Sequence, residues 1–170
     1  MIPRHYVLAD RIEHELTLLG EVVQKCEQAV ARATQHPADQ EFYIAAAALH
    51  LHDFYNGLER LFEMIATEMD QRVPSGRAWH RELLTQMTFP VTEVRPAVLD
   101  RETARLLDEY LRFRHVVRRV YALHLDAERV GVLVTRLRPT YERARKDLER
   151  FARFLRRLAR ADEETPGGER

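Results

Sequence analysis

The sequence predicts an all-α fold, arranged as an antiparallel up-down bundle of four long helices with one short helix. Three observations indicate this class. Only six Gly and seven Pro interrupt 170 residues, β-branched residues are sparse beside Leu, Ala, Arg and Glu, and apolar residues recur at steps of three and four. Since a chain of this length can bury one core, we expect a single domain over residues 1–160. Residues 161–170 are polar and Gly-rich, which predicts a disordered tail.

The first two helices are predicted to be long and amphipathic. Helix one covers about residues 6–33, and Pro37 marks its end. Asp39 can then cap helix two, which covers about residues 40–70. In both helices apolar residues alternate steps of three and four, which is typical of a packed face. These residues are Ile12, Leu16, Leu19, Val23, Cys26 and Val30 in helix one, and Leu51, Phe54, Leu58, Leu61, Ile65 and Met69 in helix two.

Shorter elements follow. Residues 72–77 form a predicted turn, and residues 79–87 form the short third helix. An irregular crossing follows, because Pro90 and Pro96 defeat a continuous helix.

Two long helices complete the predicted bundle. Asp100 is expected to cap helix four, which should reach about Leu123. Asp126 is expected to cap helix five, which should reach about Ala159.

The formal net charge is zero, but the charges are unevenly distributed. Residues 101–160 hold 17 Arg or Lys against 8 Asp or Glu, whereas the remaining residues hold 10 against 19. Only Lys25 and Lys146 are lysines, and the guanidinium fork of arginine suits phosphate. A basic half favours a nucleic-acid partner. The alternative is that acidic and basic helices pair within the bundle.

Several functional classes are excluded. The single cysteine, Cys26, rules out an internal disulfide and a Cys-based zinc site, and it fits a reducing cytoplasm. No apolar run reaches the roughly 18 residues of a membrane span, and the N-terminus lacks a signal-peptide pattern. We expect a cytoplasmic protein without a membrane partner. Nucleotide-binding loops and hydrolase motifs are also absent.

Helix four departs from a simple amphipathic pattern. On a helical wheel, Arg114 falls in the middle of an apolar stripe roughly 80° wide, and Arg118 lies at its edge. The stripe contains Leu107, Tyr110, Val117 and Tyr121. An arginine at a core position is costly unless paired. Arg114 therefore either pairs with an acid of a neighbouring helix, such as Asp53 or Glu59, or contacts a phosphate or ribose.

A second stripe on helix four contains Arg112, His115 and Arg119. His115 is either a solvated histidine or a titratable group of a site, and Tyr121 is either a core aromatic or a functional hydroxyl. Other histidines are weaker candidates. His50 and His52 point to different faces, so we predict no metal site, and His80 beside Trp79 is expected to anchor the third helix. No cofactor is predicted.

The segment Phe113-Arg114-His115-Val116-Val117-Arg118-Arg119-Val120-Tyr121 resembles the motif region of the HepT-like branch of the HEPN superfamily. Those proteins are all-α bundles whose signature is an arginine, four to six intervening residues and a histidine, often followed by x-Tyr. Helix two is similar as well, over Phe54-Tyr55-Asn56-Gly57-Leu58-Glu59-Arg60-Leu61-Phe62. Pro74-Ser75-Gly76, Trp79-His80, Leu83-Leu84 and Met87 extend the resemblance, which covers most of residues 8–158.

By this resemblance, Arg114 matches the motif arginine, His115 the polar residue after it, and Tyr121 the motif tyrosine. Arg119 stands where the family histidine is expected. A second register pairs Arg119 with His124, but Asp126 then replaces the tyrosine.

The resemblance implies a toxin–antitoxin setting. HepT-like proteins are metal-independent ribonucleases that act as homodimers, with motif helices of two protomers lining one cleft. Their partner is an MNT-type minimal nucleotidyltransferase, which can add AMP to the motif tyrosine, here Tyr121. The alternative is a non-catalytic relative that binds nucleotide or RNA, or serves as the substrate-binding partner of such a nucleotidyltransferase.

The chemistry of RNA cleavage fits these residue types. Without a metal, a base must take the 2′-hydroxyl proton and a cation must hold the developing phosphorane charge. Histidine suits the first task and arginine the second. We therefore predict Arg114, His115, Arg119 and Tyr121 as catalytic residues. Contacts to RNA, either tRNA or mRNA, are predicted for Arg112, Arg118 and His124.

Overall fold

The computed structural model describes residues 3–119 and 124–164, and these fold into five α-helices without a β-strand. A 3₁₀ turn, Pro37–Asp39, precedes the second helix, and a π-helical turn, Ala66–Asp70, extends its end. The all-α prediction of four long helices and one short helix is confirmed. The helices are α1 (Arg4–Gln35), α2 (Gln40–Ile65), α3 (Trp79–Gln86), α4 (Arg101–Val117) and α5 (Ala127–Glu164).

The bundle forms around α1 and α2, which pack most extensively against each other. Helix α5 lies along α1, whereas α4 packs on α2, and α3 contacts both α2 and α4. Gly57 permits the close approach of α1 and α2, because a Cβ at this position would lie 2.6 Å from Leu19 Cδ2. The predicted apolar faces are confirmed, since every apolar residue predicted for the first two helices is buried except the half-buried Val30.

Helix capping differs from the prediction at two of three sites. Asp126 caps α5 as expected, because its Oδ1 accepts the backbone N–H groups of Glu128 and Arg129 at 3.0 and 3.3 Å. Asp39 and Asp100 occupy cap positions, but neither side chain makes a capping bond within the described residues. Instead, the backbone N–H of Asp100 donates to Oδ2 of Asp147, 2.9 Å away on α5.

Helix α4 ends at Val117, about six residues earlier than predicted. The backbone N–H of Arg119 donates to the Val116 carbonyl at 3.0 Å, which is a tighter i to i−3 bond. The adjacent β-branched Val116 and Val117 also lose side-chain freedom in a helix. Arg118 and Arg119 therefore lie in a turn, and Arg119 does not share a helix face with His115.

The crossing between α3 and α4 is irregular, as predicted, but it is organised by a buried arginine that sequence patterns did not indicate. Arg95 donates through Nε and Nη2 to the Asp70 carboxylate, and both side chains are almost fully buried. Its remaining donors reach three backbone carbonyls, those of Gln86, Phe89 and Pro96. All of the guanidinium N–H groups are thereby satisfied, which a buried charge requires.

Helix α5 continues to Glu164, past the boundary that the sequence predicts at residue 160, and it contains Pro139 internally. The rest of the predicted tail, residues 165–170, lies outside the described residues. Within the described ranges, no helix is long and apolar enough to span a bilayer.

Candidate functional site

Arg114 lies on the face of α4 that packs against α2. Its side chain is only 11% exposed, and its Nη1 is 3.4 Å from Glu59 Oε1. The Glu59 side chain is also buried, at 6% exposed. Of the two acids that the sequence offered as partners for Arg114, the structure selects Glu59. The ion pair neutralises a charge that would otherwise be costly at this depth.

His80 of α3 binds the other oxygen of the same carboxylate. Its Nδ1 lies 2.7 Å from Glu59 Oε2 and 3.1 Å from Arg114 Nη1. One ring nitrogen cannot donate to the carboxylate and accept from the guanidinium together. The contact with Glu59 is the shorter of the two and involves a charged acceptor. We therefore assign the proton to Nδ1, which donates to Glu59. His80 thus anchors α3 to α2, as predicted, and the Trp79 ring stacks on it at 3.7 Å.

His115 lies beside this buried cluster and is itself half-buried. Its ring meets His80 edge to face, with 5.6 Å between the centroids and 72° between the planes. Burial lowers the pKa of His115 most, and the positive charges of His80, Arg114, Arg119 and Arg118 lower it further. The imidazole is therefore neutral at pH 7, the form that can accept a proton.

Three buried polar atoms around Arg114 have no hydrogen-bond partner within residues 3–119 and 124–164: His52 Nδ1, Tyr55 Oη and Arg114 Nε. Burial, followed by the charge of Arg114, lowers the pKa of His52. Burial raises the pKa of Tyr55, which Glu59 raises further. Unsatisfied buried groups cost stability. A cluster that tolerates this cost is therefore a candidate for function.

The arginines around the end of α4 differ in their partners. Arg112 is exposed and pairs with Asp108 one turn earlier, at 2.8 Å. Arg118 and Arg119 are exposed in the turn after α4, and neither forms an ion pair within the described part of the chain. His124 is exposed after the undescribed residues 120–123. Tyr121, the predicted motif tyrosine, lies outside the described residues.

The structure therefore brings some of the predicted site residues together, and it adds two residues to the candidate site that were not predicted as a pair. Arg114 and His115 adjoin the exposed Arg118 and Arg119 at one end of α4. Sequence reasoning did not place Glu59 and His80 in the site as a pair. Both occur in the segments that resemble HepT-like proteins, but their contact depends on how α2, α3 and α4 cross. Within the described residues, His, Cys, Asp and Glu form no group of three suited to a metal ion.

The all-α bundle, with its Arg and His cluster at the end of the helix before the last, is of the HEPN-like class. The chain belongs to the HepT-like family, because the family model described as "HepT-like protein" matches residues 46–155, more than half of its length. The family is HEPN-type and toxin-related. No curated protein and no solved structure matches the chain.

Proposed function

We propose that this HepT-like protein is the toxin of a toxin–antitoxin pair and that it cleaves RNA without a metal ion. One observation carries the proposal: a half-buried histidine with a lowered pKa, His115, adjoins the exposed Arg118 and Arg119. A neutral imidazole can take a proton, and unpaired guanidinium groups can bind phosphate. The toxin-related family supports the same proposal.

Each residue has a distinct role in this proposal. His115 takes the proton of the 2′-hydroxyl, while Arg118 and Arg119 hold the charge that develops on the phosphorane. Arg114 is a positioning residue, because its guanidinium is paired with Glu59 and only 11% exposed. It fixes the end of α4 against α2 and favours the neutral form of His115.

A second candidate function is RNA or nucleotide binding without cleavage. Two observations favour it. Arg119 occupies the position of the family histidine, and Arg114 is neutralised within the protomer. The exposed arginines would bind a polyanion in either case, so binding alone does not separate the two candidates.

Cleavage in the presence of EDTA tests the proposal. Wild type should cut oligoribonucleotides but not 2′-deoxy analogues, since the attacking hydroxyl is absent from the latter. His115→Asn should reduce kcat/KM by about 10²–10⁴-fold. The double variant Arg118→Ala/Arg119→Ala should weaken binding and reduce its dependence on salt. Arg105→Ala, exposed and paired with Glu102, is the control.

The outcomes separate the two candidates. Salt-dependent RNA binding without cleavage by wild type would select the binding function. Unchanged kcat/KM in His115→Asn would remove His115 as the base.

We further propose that the protein forms a homodimer and is neutralised by an MNT-type nucleotidyltransferase that adds AMP to Tyr121. Family membership suggests a toxin–antitoxin context, in which such a partner would act. After co-expression with an MNT-type nucleotidyltransferase, intact-mass spectrometry should show one added AMP per chain. The adduct should disappear in Tyr121→Phe and persist in Tyr6→Phe. An unmodified Tyr121 in the co-expressed complex would contradict the proposal.

A further inference from the structure

The proposed cleavage of RNA requires two proton transfers, and His115 accounts for one of them. When a 2′-oxygen attacks phosphorus, a base removes its proton, and an acid must protonate the departing 5′-oxygen. The motif position for a histidine holds Arg119, which cannot serve as an ordinary proton donor because its pKa is too high. However, a second imidazole, that of His80 on α3, lies edge to face with His115 at 5.6 Å.

Contacts with α2 and with Trp79 fix the His80 ring in a defined orientation. Its Nδ1 donates to the buried Glu59 carboxylate at 2.7 Å, which leaves Nε2 to exchange a proton. Stacking of Trp79 at 3.7 Å restricts the plane of the ring. The side chain is 13% exposed, so it is not fully enclosed by the bundle.

The charges around the two rings differ. His80 faces the Glu59 carboxylate of α2, together with Arg114 and His115 of α4. The groups whose charges lower the pKa of His115 are His80, Arg114, Arg119 and Arg118, in addition to its burial. The Arg81–Asp108 ion pair, at 3.3 Å, lies at the same α3–α4 contact. Within the described residues, His80 has a carboxylate within hydrogen-bond distance and His115 has none, a geometry that suits His80 to the role of proton donor.

We propose that His80 and His115 form an acid–base pair, with His80 as the general acid and His115 as the base. This inference rests on the proposed ribonuclease function. The 2′-hydroxyl proton passes to His115 as the bond from the 2′-oxygen to phosphorus forms. The bond from phosphorus to the 5′-oxygen breaks, and Nε2–H of His80 protonates that oxygen. The products are a 2′,3′-cyclic phosphate and a 5′-hydroxyl, and no oxidant or metal is consumed.

The pH dependence of kcat/KM on an oligoribonucleotide in EDTA tests the pair. Wild type should give a bell-shaped profile, whose acidic limb reports the base and whose alkaline limb reports the acid. In His80→Asn the side-chain amide can still donate a hydrogen bond to Glu59. The alkaline limb of the profile should disappear, and kcat/KM should fall by about 10²–10⁴-fold. His115→Asn should lose the acidic limb. His14→Asn, an exposed histidine of α1, should match wild type.

A substrate with sulfur in place of the bridging 5′-oxygen distinguishes loss of the acid from loss of folding in the His80 variant. A thiolate leaves without protonation, so wild type itself should lose the alkaline limb on this substrate. His80→Asn should then cleave it at nearly the wild-type rate, an effect that a purely structural role would not produce. Cleavage of RNA with the alkaline limb intact in His80→Asn, or on the sulfur substrate, would overturn the pair alone. No cleavage by wild type would overturn the ribonuclease function, and the pair with it.

Discussion

Arg114 brings its charge into the contact between α2 and α4, where a single carboxylate serves two partners. Glu59 Oε1 faces the guanidinium at 3.4 Å, and Oε2 accepts from His80 at 2.7 Å. Removing either partner of such a pair costs more than the pair contributes, because the remaining charge stays buried. Glu59 is therefore the residue on which the geometry of both His80 and Arg114 depends.

Because His80 and Arg114 both bind Glu59, replacing Glu59 should destabilise the protein. Glu59→Gln keeps the size of the side chain but leaves Arg114 uncompensated, so the free energy of unfolding should fall by about 3–5 kcal/mol. Adding Arg114→Met removes the orphaned charge and should restore part of that loss. Urea denaturation followed by circular dichroism measures both.

The control for this measurement is Glu102→Gln, because Glu102 is exposed and paired with Arg105. It should leave the unfolding midpoint unchanged, since exposed ion pairs contribute little. A destabilisation no larger than that of the control would contradict the structural role of Glu59.

The sequence could place Arg114 on a buried stripe, but it could not decide between Asp53 and Glu59. Both acids lie on α2, and the choice depends on the angle at which α4 crosses it. Asp53 is exposed, whereas Glu59 is buried. His80 belongs to a short helix that is remote in sequence, so the wheel of one helix could not reveal its contact with His115.

At the level of elements, the ends of the helices were harder to predict than the helices themselves. Apolar periodicity located α1 and α2, because it reflects the buried face directly, and turn, proline and capping signals separated the other helices. Caps depend on tertiary neighbours as well as local sequence. At the start of α4, the sequence predicted the Asp100 side chain as the cap. The side chain that accepts a backbone N–H there is instead that of Asp147 on α5, 47 residues away, and the donor is the N–H of Asp100 itself.

The substitutions Asp147→Ala and Asp100→Ala distinguish these two acids. Asp147→Ala removes a buried acceptor from the Asp100 N–H and should lower the free energy of unfolding by about 1–3 kcal/mol. Asp100→Ala removes only an exposed contact with Arg150 and should cost clearly less. Thermal unfolding of both variants, with Asp126→Ala as an example of a true cap, measures the difference. Equal effects at positions 100 and 147 would contradict the assignment of Asp147.

Over the whole molecule, part of the uneven distribution of charge is balanced by ion pairs between helices. Arginines of α5 pair with acids of α1, as Arg138 does with Glu27 and Arg156 with Asp10 and Glu13. This is the alternative that the sequence left open beside nucleic-acid binding. Arg118 and Arg119 after α4 are among the basic residues that form no ion pair within the described residues. The total charge of residues 101–160 therefore does not by itself indicate where a phosphate would bind, and the proposed site rests on the position of Arg118 and Arg119 beside His115.

The saturated guanidinium of Arg95 has a further consequence for the site. Arg95 binds the Asp70 side chain and the carbonyls of Gln86, Phe89 and Pro96. These hydrogen bonds close the segment from Asp70 to Arg95, which contains α3, into a loop whose two ends are joined. The length of this loop sets where the short helix docks, and hence where the imidazole at position 80 stands. Insertions or deletions in the loop would displace the proposed general acid without altering any residue proposed to contact the substrate. In the proposed mechanism, the length of this loop therefore affects proton transfer.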